Sequence, residues 1–364
     1  MKIFNHDIMN CTHEQVQGNY LYSGRVLGLT EPDDVIQLHP ELKSEWQAIT
    51  EHYRRMGLPH THQVVWDISL SRIAENPELE RSVFYFGDAV NQESSYAEQC
   101  RQLDQNWYGV VDYVNSKNNF MDLAHTLGVT VPQTLCFDDK SAIDLDADIP
   151  YPCYLKPSIS VDGVGIVRCE DEPQLVSALQ GLPDYMPFQI QEEVRATSFL
   201  NLQYQVTSEG VKPLAASEQI LDGCAHSGNR YPTIHQPWDV VDPMAQWMGQ
   251  QGMKDIFAFD VAVAEREEGP CYLAIECNPR FNGASYPTGI AHKLNISSWT
   301  SQTFVTSARS LHQLDLTDIE YDSQSQQGIV IVNWGSILIG KLVILLAGTP
   351  EQQNHLREQL KQRL

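Results

Sequence analysis

A short polar run near residue 276 has the residue types that bind a hard metal ion. Glu276 and Asn278 come directly after the apolar run 271–275, which has the composition of a strand. Residues two apart on a strand point to one face, so the two side-chain oxygens converge. A carboxylate and an amide oxygen suit Mg²⁺, and Arg280 could hold a phosphoryl oxygen through its planar fork of donors. The alternative is an edge strand that carries solvated polar residues.

A second carboxylate lies inside the strand-like run 256–263. Asp260 has apolar neighbours there, and a buried Asp requires a partner. The turn 266–269 would join this run to 271–275, which would place Asp260 beside Glu276 on adjacent strands. Two neighbouring carboxylates are costly without a cation and stable with one. The pair therefore predicts a divalent cation between the two strands.

A lysine opens the helical pattern 117–127, which Gly128 ends. Lys117 would sit at the N-terminus of this helix, where a positive charge opposes the helix dipole unless an anion is shared. A solvated lysine is the ordinary alternative. The position therefore indicates an anion site only in combination with other residues.

Another lysine ends the strand-like run 151–157 and precedes a segment rich in small residues. Lys156 would supply a point charge beside Ser160, Gly163 and Gly165, where backbone amides can approach an anion closely. The segment is neither a Walker loop nor a dinucleotide-binding glycine motif. It predicts either a flap over phosphates or a plain β-hairpin.

The composition excludes some classes of function. The 364 residues carry a formal net charge of −23, and the longest basic run is Arg54-Arg55, so a nucleic-acid-binding surface is not expected. The eight cysteines are scattered without a C-x-x-C pair, and the first residues lack a basic region followed by an apolar core. These features predict a cytoplasmic protein.

The segment 328–348 is long enough to span a bilayer, and Lys341 is its only formal charge. Polar and glycine-containing breaks at 333–336 and 340–341 argue against a membrane helix. We predict three buried strands instead, at 329–332, 337–339 and 342–347. A capped helix that begins after Thr349 is predicted to close the chain.

The first 115 residues alternate strand-like runs with helical patterns, which predicts a parallel, doubly wound α/β domain. The runs are 34–38, 63–66, 82–86 and 110–111. Further along, the region 214–237 is rich in turn residues and is predicted to be a substrate-recognising loop. Arg230 in this loop is a candidate for gripping a substrate carboxylate or acyl phosphate, although an exposed Arg is the default expectation.

Taken in chain order, these residues resemble the ATP-grasp superfamily, as in D-alanine:D-alanine ligases and biotin carboxylases. The series is Lys117, Lys156 with its glycine flap, the run Glu192-Glu193-Val194, Asp260, and Glu276-x-Asn278-x-Arg280. The resemblance implies an α/β protein with an N-terminal doubly wound parallel-sheet domain and a two-lobed ATP-grasp α+β domain. The implied units are a preATP-grasp domain at 1–115, a nucleotide lobe at 116–200, a metal and substrate lobe at 201–325, and C-terminal strands with a helix at 326–364.

The resemblance also implies a role for each residue of the series. ATP would lie between two antiparallel sheets, with Lys117, Lys156 and the flap on its phosphates and the backbone of 192–194 on adenine. One or two Mg²⁺ ions, or Mn²⁺, would be held by Asp260, Glu276 and Asn278. Arg280 would steady the transferred phosphoryl group. Ser198 stands where many relatives carry an acidic residue that holds the ribose, so ribose recognition is in doubt.

The implied reaction activates a carboxylate as an acyl phosphate and joins it to an amine. The predicted partners are small-molecule acids and amines of the amino acid or small peptide class, with no nucleic acid and no membrane, and the resemblance allows a homodimer. Two alternatives stay open. One is a phosphotransferase or carboxylase-like enzyme, and the other is an inactive nucleotide-binding regulatory protein.

Overall fold

The computed structural model describes residues 1–12, 16–86, 95–143, 148–160, 163–223 and 225–364, without the side chains of Asp222 and Ala225. Within these residues the strands form three sheets, of four, eight and four strands. Apolar side chains of the N-terminal region and the eight-stranded sheet share one continuous core. The second four-stranded sheet has a separate, smaller core.

The N-terminal region is a parallel four-stranded sheet with helical connections, as predicted. Its strands are β1 (Lys2–Asn5), β2 (Val35–Gln37), β3 (Gln63–Val65) and β4 (Glu80–Val83), in the order β3-β2-β1-β4. Its helices are α1 (Trp46–Arg55), α2 (Ser71–Ala74), α3 (Ser95–Leu103) and α4 (Gln105–Asn115). An irregular 3-10 segment, Asn19–Leu29, packs against the sheet and supplies buried apolar residues.

The strand predicted at 110–111 is wrong, because both valines lie in α4. The Asp104 side chain caps this helix by accepting hydrogen bonds from the amides of Asn106 and Trp107. The buried residues of α4 recur at helical spacing, which a two-residue apolar window cannot reveal.

The second four-stranded sheet is antiparallel, and together with the helix that covers it this sheet forms the small lobe. Its strands are β5 (Thr134–Phe137), β6 (Cys153–Pro157), β7 (Val167–Cys169) and β8 (Phe188–Glu192), in the order β5-β8-β6-β7. The helix that shares the small core of this sheet is α6 (Glu172–Gln180). The preceding helix, α5 (Lys117–Leu127), instead buries its apolar residues in the larger core.

The large sheet is antiparallel and carries most of the polar residues predicted from the sequence. Its strands are β9 (Ala196–Thr207), β10 (Gly210–Asp222), β11 (Ala225–Tyr231), β12 (Ile256–Arg266), β13 (Gly269–Asn278), β14 (Trp299–Val305), β15 (Gly328–Asn333) and β16 (Lys341–Ala347). Its helices are α7 (Trp238–Gln250), α8 (Ser285–Leu294) and α9 (Pro350–Arg363). The strand order is β13-β12-β9-β10-β11-β14-β16-β15.

Two predictions for this half of the chain need correction. The region 214–237 is not mainly a loop, because most of it forms the β10–β11 hairpin. The residues 337–339 lie in a 3-10 helix, Gly335–Ile339, rather than in a strand. The strands β15 and β16 are as predicted and extend the large sheet. Among the described residues, no helix is long and apolar enough to cross a bilayer.

The segment that follows β15, including the 3-10 helix, packs closely against the N-terminal region. Trp334 is fully buried and donates a hydrogen bond from its indole nitrogen to the carbonyl oxygen of Gly24, at 2.8 Å. A Cβ atom added at Gly335 would lie 2.3 Å from the carbonyl oxygen of Leu21. The two segments therefore approach so closely that only glycine fits at residue 335.

We expect Gly335→Ala to lower the free energy of unfolding by roughly 1–3 kcal/mol, because the added methyl group must push these two segments apart. Gly109→Ala is the matched control, since a Cβ at this exposed position of α4 meets no atom within 4 Å. It should raise stability by about 0.5–1 kcal/mol through helix propensity. Chemical denaturation of both variants measures the difference, and equal stabilities would contradict the close approach.

Candidate active site

The two carboxylates predicted to share a cation stand opposite each other on neighbouring strands. In the β12–β13 hairpin Asp260 pairs with Glu276, and Ala258 pairs with Asn278. The register shifts after Asp260 and leaves Ile275 as an extra residue, a β-bulge that re-aims the end of β13. Asp260, Glu276 and Asn278 all line one cavity of about 500 Å³.

Three side-chain amides surround Asp260. The carboxylate accepts hydrogen bonds from Asn201 at 2.8 Å, from Gln219 at 2.5 Å and from Asn278 at 3.0 Å. Burial and the neighbouring charge of Glu276 nevertheless raise the pKa of Asp260 above its ordinary value. The pair thus carries unrelieved repulsion that a cation would remove.

Lys117 compensates Glu276 from across the cavity. Its Nζ lies 3.1 Å from the Glu276 carboxylate and also donates to Ser160 Oγ at 3.1 Å. Removal from bulk water raises the pKa of Glu276, but the charges of Lys117 and Lys156 outweigh this effect and leave the pKa below its usual value. Glu276 therefore holds its negative charge more firmly than Asp260 does.

The described part of the predicted flap contributes Ser160, Gly163 and Ile166 to the same cavity. Gly163 and Gly165 have φ angles of 75° and 82°, which favour glycine. Lys156, on β6 before the flap, donates to the Gln191 side-chain oxygen at 2.6 Å. Residues 161 and 162, predicted as part of the flap, lie outside the described residues.

Arg280 is held in place by its neighbours. Its guanidinium donates to Asn115 Oδ1 at 2.7 Å and to Asn278 Oδ1 at 3.3 Å, and it lies 3.8 Å from the centre of the Phe86 ring. Burial lowers the pKa of Arg280 to about 10, so the side chain stays charged at neutral pH. Its position beside the carboxylate pair is fixed in advance of any ligand.

The donor set fits Mg²⁺ that is shared with a phosphate. Among the described residues, no group of three or more His, Cys, Asp or Glu side chains could hold a metal ion by itself. Two carboxylates with the amide oxygens of Asn278 and Asn201 leave ligand positions for water and phosphate, which Mg²⁺ prefers. Asn201 Oδ1 is buried and has no hydrogen-bond partner among the described residues.

Several predicted site residues do not line this cavity: Lys156, Gly165 and, most clearly, Arg230. Its neighbours on β11, Gly228 and Asn229, line the cavity, whereas Arg230 does not. The Arg230 side chain is 56% exposed and forms an ion pair with Glu218 at 3.3 Å. Arg280, rather than Arg230, is therefore the arginine beside the carboxylate pair.

The run 192–194 joins the small lobe to the large sheet and also lies outside the cavity lining. The amides of Glu192 and Glu193 donate to the carbonyl oxygens of Gln133 and Pro152. In the described part of the chain, the amide of Val194 has no backbone acceptor. Adenine binding by this run stays a prediction, as does the consequence of Ser198, which is on β9.

Sequence reasoning missed several polar residues of the cavity. They are Arg25, Asn201, Gln219 and Asn282 in the lining, together with Asn115, which accepts a hydrogen bond from Arg280 outside it. Asn201 had a recognisable signal, since it is polar within an alternating strand pattern. Arg25 had a weaker one, since it is a lone charge within the apolar stretch 21–29. The tertiary contacts that bring these residues to the cavity have no sequence signal.

No model of a known protein family matches the sequence. The arginine-specific large chain of carbamoyl phosphate synthase from Bacillus subtilis (strain 168) is 23% identical over 188 residues. That match covers 50% of this chain but only 18% of the relative. The chain therefore corresponds to a small part of that protein.

Solved structures resemble this chain over most of its length. N5-carboxyaminoimidazole synthetase from Staphylococcus aureus, complexed with ADP, has a TM-score of 0.60 at 10% identity, covering 99% of this chain and 95% of that one. L-amino acid ligase from Bacillus licheniformis has a TM-score of 0.54 at 11% identity, covering 98% and 95%. An Archaeoglobus fulgidus protein described as ATP-grasp has a TM-score of 0.53 at 13% identity, covering 84% and 94%. The chain therefore has the ATP-grasp fold, as the order of its charged residues predicted.

Proposed function

We propose that this protein is an ATP- and Mg²⁺-dependent ligase that joins a carboxylic acid to an amine. The observation that supports this most is the single cavity in which Asp260, Glu276 and Asn278 face Lys117 and Arg280. Carboxylates and cations set together suit a polyphosphate with its divalent cation, which needs both kinds of contact. The likeness to an L-amino acid ligase favours an amino acid or small peptide as substrate.

The groups in and around the cavity would share the work of holding ATP. Lys117 would contact the phosphates from the cavity lining and Lys156 from beside it, and the flap amides around Gly163 would cover them. Asp260, Glu276 and Asn278 hold Mg²⁺, which when bound neutralises phosphate charge. The small lobe has a core of its own, and in this proposal it covers the nucleotide and excludes water, which would otherwise hydrolyse the activated acid.

The proposed reaction has two steps. In the first, a carboxylate oxygen attacks the γ-phosphorus of ATP, the bond from that phosphorus to ADP breaks, and an acyl phosphate forms. In the second, the amine nitrogen attacks the acyl carbon, the carbon–oxygen bond breaks, phosphate leaves and the nitrogen loses a proton. The protein needs no covalent nucleophile, because Arg280 can stabilise the charge that develops on the transferred phosphoryl group.

A carboxylase-like reaction is the second candidate, in which bicarbonate takes the place of the organic acid. The full-length likeness to N5-carboxyaminoimidazole synthetase favours it. The two candidates differ in what stimulates ATP hydrolysis. A ligase responds to an organic acid in bicarbonate-free buffer, whereas the carboxylase-like enzyme requires bicarbonate.

Incubation with ATP, Mg²⁺ and pools of amino acids should release ADP, and hydroxylamine should trap the acyl phosphate as a hydroxamate. Glu276→Gln should reduce the rate by about 100-fold or more, because the amide carries no charge to hold Mg²⁺. Glu218→Gln, outside the cavity, should keep full activity.

ADP release without hydroxamate would favour a phosphotransferase. Nucleotide binding without ADP release would favour a regulatory protein.

The two candidate arginines can be separated by the same conservative change. Arg280→Lys keeps the charge but loses the planar fork, so we expect kcat to fall by at least about 10-fold. Arg230→Lys should leave kcat unchanged, since this side chain contacts Glu218 outside the cavity. Steady-state ADP release measures both. A larger loss for Arg230→Lys would restore the role predicted from the sequence.

Repulsion between the paired carboxylates should be measurable without turnover. With EDTA present, Asp260→Asn should raise the free energy of unfolding by roughly 1 kcal/mol, since a charge is removed from beside Glu276. With Mg²⁺ and ATP added, wild-type protein should gain thermal stability and the variant should gain little. Thermal denaturation under both conditions tests this. An equal Mg²⁺-ATP shift in both proteins would remove Asp260 from the metal site.

A further inference from the structure

One cation in the cavity has no counter-ion among the residues that the structure describes. Arg25 lies in the segment Asn19–Leu29, is 9% exposed and lines the cavity. Its Nε and Nη2 atoms are buried and have no hydrogen-bond partner within the described ranges of the chain. Asp7 interacts with this charge but forms no ion pair with it, and burial raises the pKa of Asp7 to about 7. A buried guanidinium left in this state is costly unless a ligand supplies the anion.

Aromatic rings fix the position of Arg25. Its Cζ atom lies 4.5 Å from the centre of the Tyr286 ring, 4.7 Å from that of Phe84 and 5.3 Å from that of Tyr22. Tyr286 is itself held by His6, whose Nδ1 is 3.0 Å from the tyrosine oxygen. The Tyr286 hydroxyl also takes a hydrogen bond from Arg25, but Nε and Nη2 have no partner among the described residues. These two donors remain for a planar anion.

A second unpartnered donor lines the same cavity. Asn282 Oδ1 accepts from the amide of Ala284 at 2.9 Å, which settles the orientation of the side chain at the start of α8. Its Nδ2 atom is buried and has no partner among the described residues. An arginine fork and an amide N–H suit a carboxylate, which accepts several hydrogen bonds.

The cavity also offers an unpartnered acceptor outside the carboxylate pair. Asn333 lines the cavity, and its Oδ1 atom is buried without a hydrogen-bond partner in the described part of the chain. An amide oxygen accepts hydrogen bonds from an ammonium or amine group. Donors for a carboxylate and an acceptor for an amine in one cavity are complementary to an α-amino acid.

We propose that Arg25 and Asn282 bind the carboxylate of the amino acid whose amine attacks the acyl phosphate. The proposal rests on the ligase function proposed above and specifies the amine substrate as an α-amino acid. This carboxylate does not react, so its charge stays available to hold the substrate throughout the two steps.

The placement of the two cavity arginines distinguishes this carboxylate from the one that is phosphorylated. Arg280 lies over Phe86, beside the carboxylate pair, whereas Arg25 lies against Phe84. The Cα atoms of these phenylalanines can be at most about 7 Å apart, since a single residue separates them in the sequence. The arginines therefore serve neighbouring sites, one for the transferred phosphoryl group and one for an anion that remains unmodified.

Binding and turnover test the proposal separately. Calorimetry with ADP and Mg²⁺ present should detect binding of individual standard L-amino acids, and for each that binds, the matching amide and decarboxylated amine should bind about 100-fold more weakly. Arg25→Gln should weaken amino acid binding about 100-fold. Asn282→Asp keeps the Oδ1 acceptor but replaces the donor by a negative charge, so it should weaken binding as well. Arg357→Gln, a partly buried arginine outside the cavity, is the control.

Hydroxylamine replaces the amine substrate and needs no carboxylate site. Arg25→Gln should therefore form hydroxamate with an unchanged KM for the acid, which also shows that the variant is folded. A raised KM for the acid would assign Arg25 to the other substrate and overturn the proposal. Equal affinity for amino acids and their amides would overturn it too, as would wild-type protein that binds no amino acid. If ADP release fails but the calorimetric differences hold, the ligase function is wrong and the carboxylate site stands.

Discussion

Repulsion between two facing carboxylates is the constraint on which this cavity depends. The β12–β13 register sets Asp260 against Glu276, and removal from water strengthens their interaction. Three side-chain amides and Lys117 relieve it only in part. The protein therefore holds a site that is least stable when empty, which is the expected state of a site shaped for a divalent cation.

Lys117 links this repulsion to the small lobe. The lysine opens α5, contacts Glu276 on the large sheet and also contacts Ser160 on the flap. Under the proposed function, a phosphate that enters between these residues would compete with Glu276 for Lys117 and leave Glu276 free to bind a cation. One side chain would then couple the charge of the ligand to the position of the flap.

The sequence predicted the fold class, and it predicted the residues of the series that depend on local spacing. Glu276 and Asn278 share a face because a strand repeats every two residues, and Lys117 opens a helix because Ser116 caps it. Predictions failed where tertiary contacts determine the local conformation or the position of a side chain. The β10–β11 hairpin consists of turn-rich residues that form strands because they pack within the large sheet. Arg25 reaches the cavity through the packing of an irregular segment.

The net negative charge of the chain makes its buried cations important for binding an anion. With a net charge of −23, the protein repels anions from most of its surface, so an anionic substrate gains attraction only within the cavity. Arg280 and Arg25 are positioned there by neutral amides and aromatic rings, which hold a guanidinium without cancelling its charge. A protein carboxylate paired with either arginine would cancel its charge and leave less attraction for an anionic ligand. Neutral supports keep the positive charge available, and they make the cavity selective for ligands that bring their own negative charge.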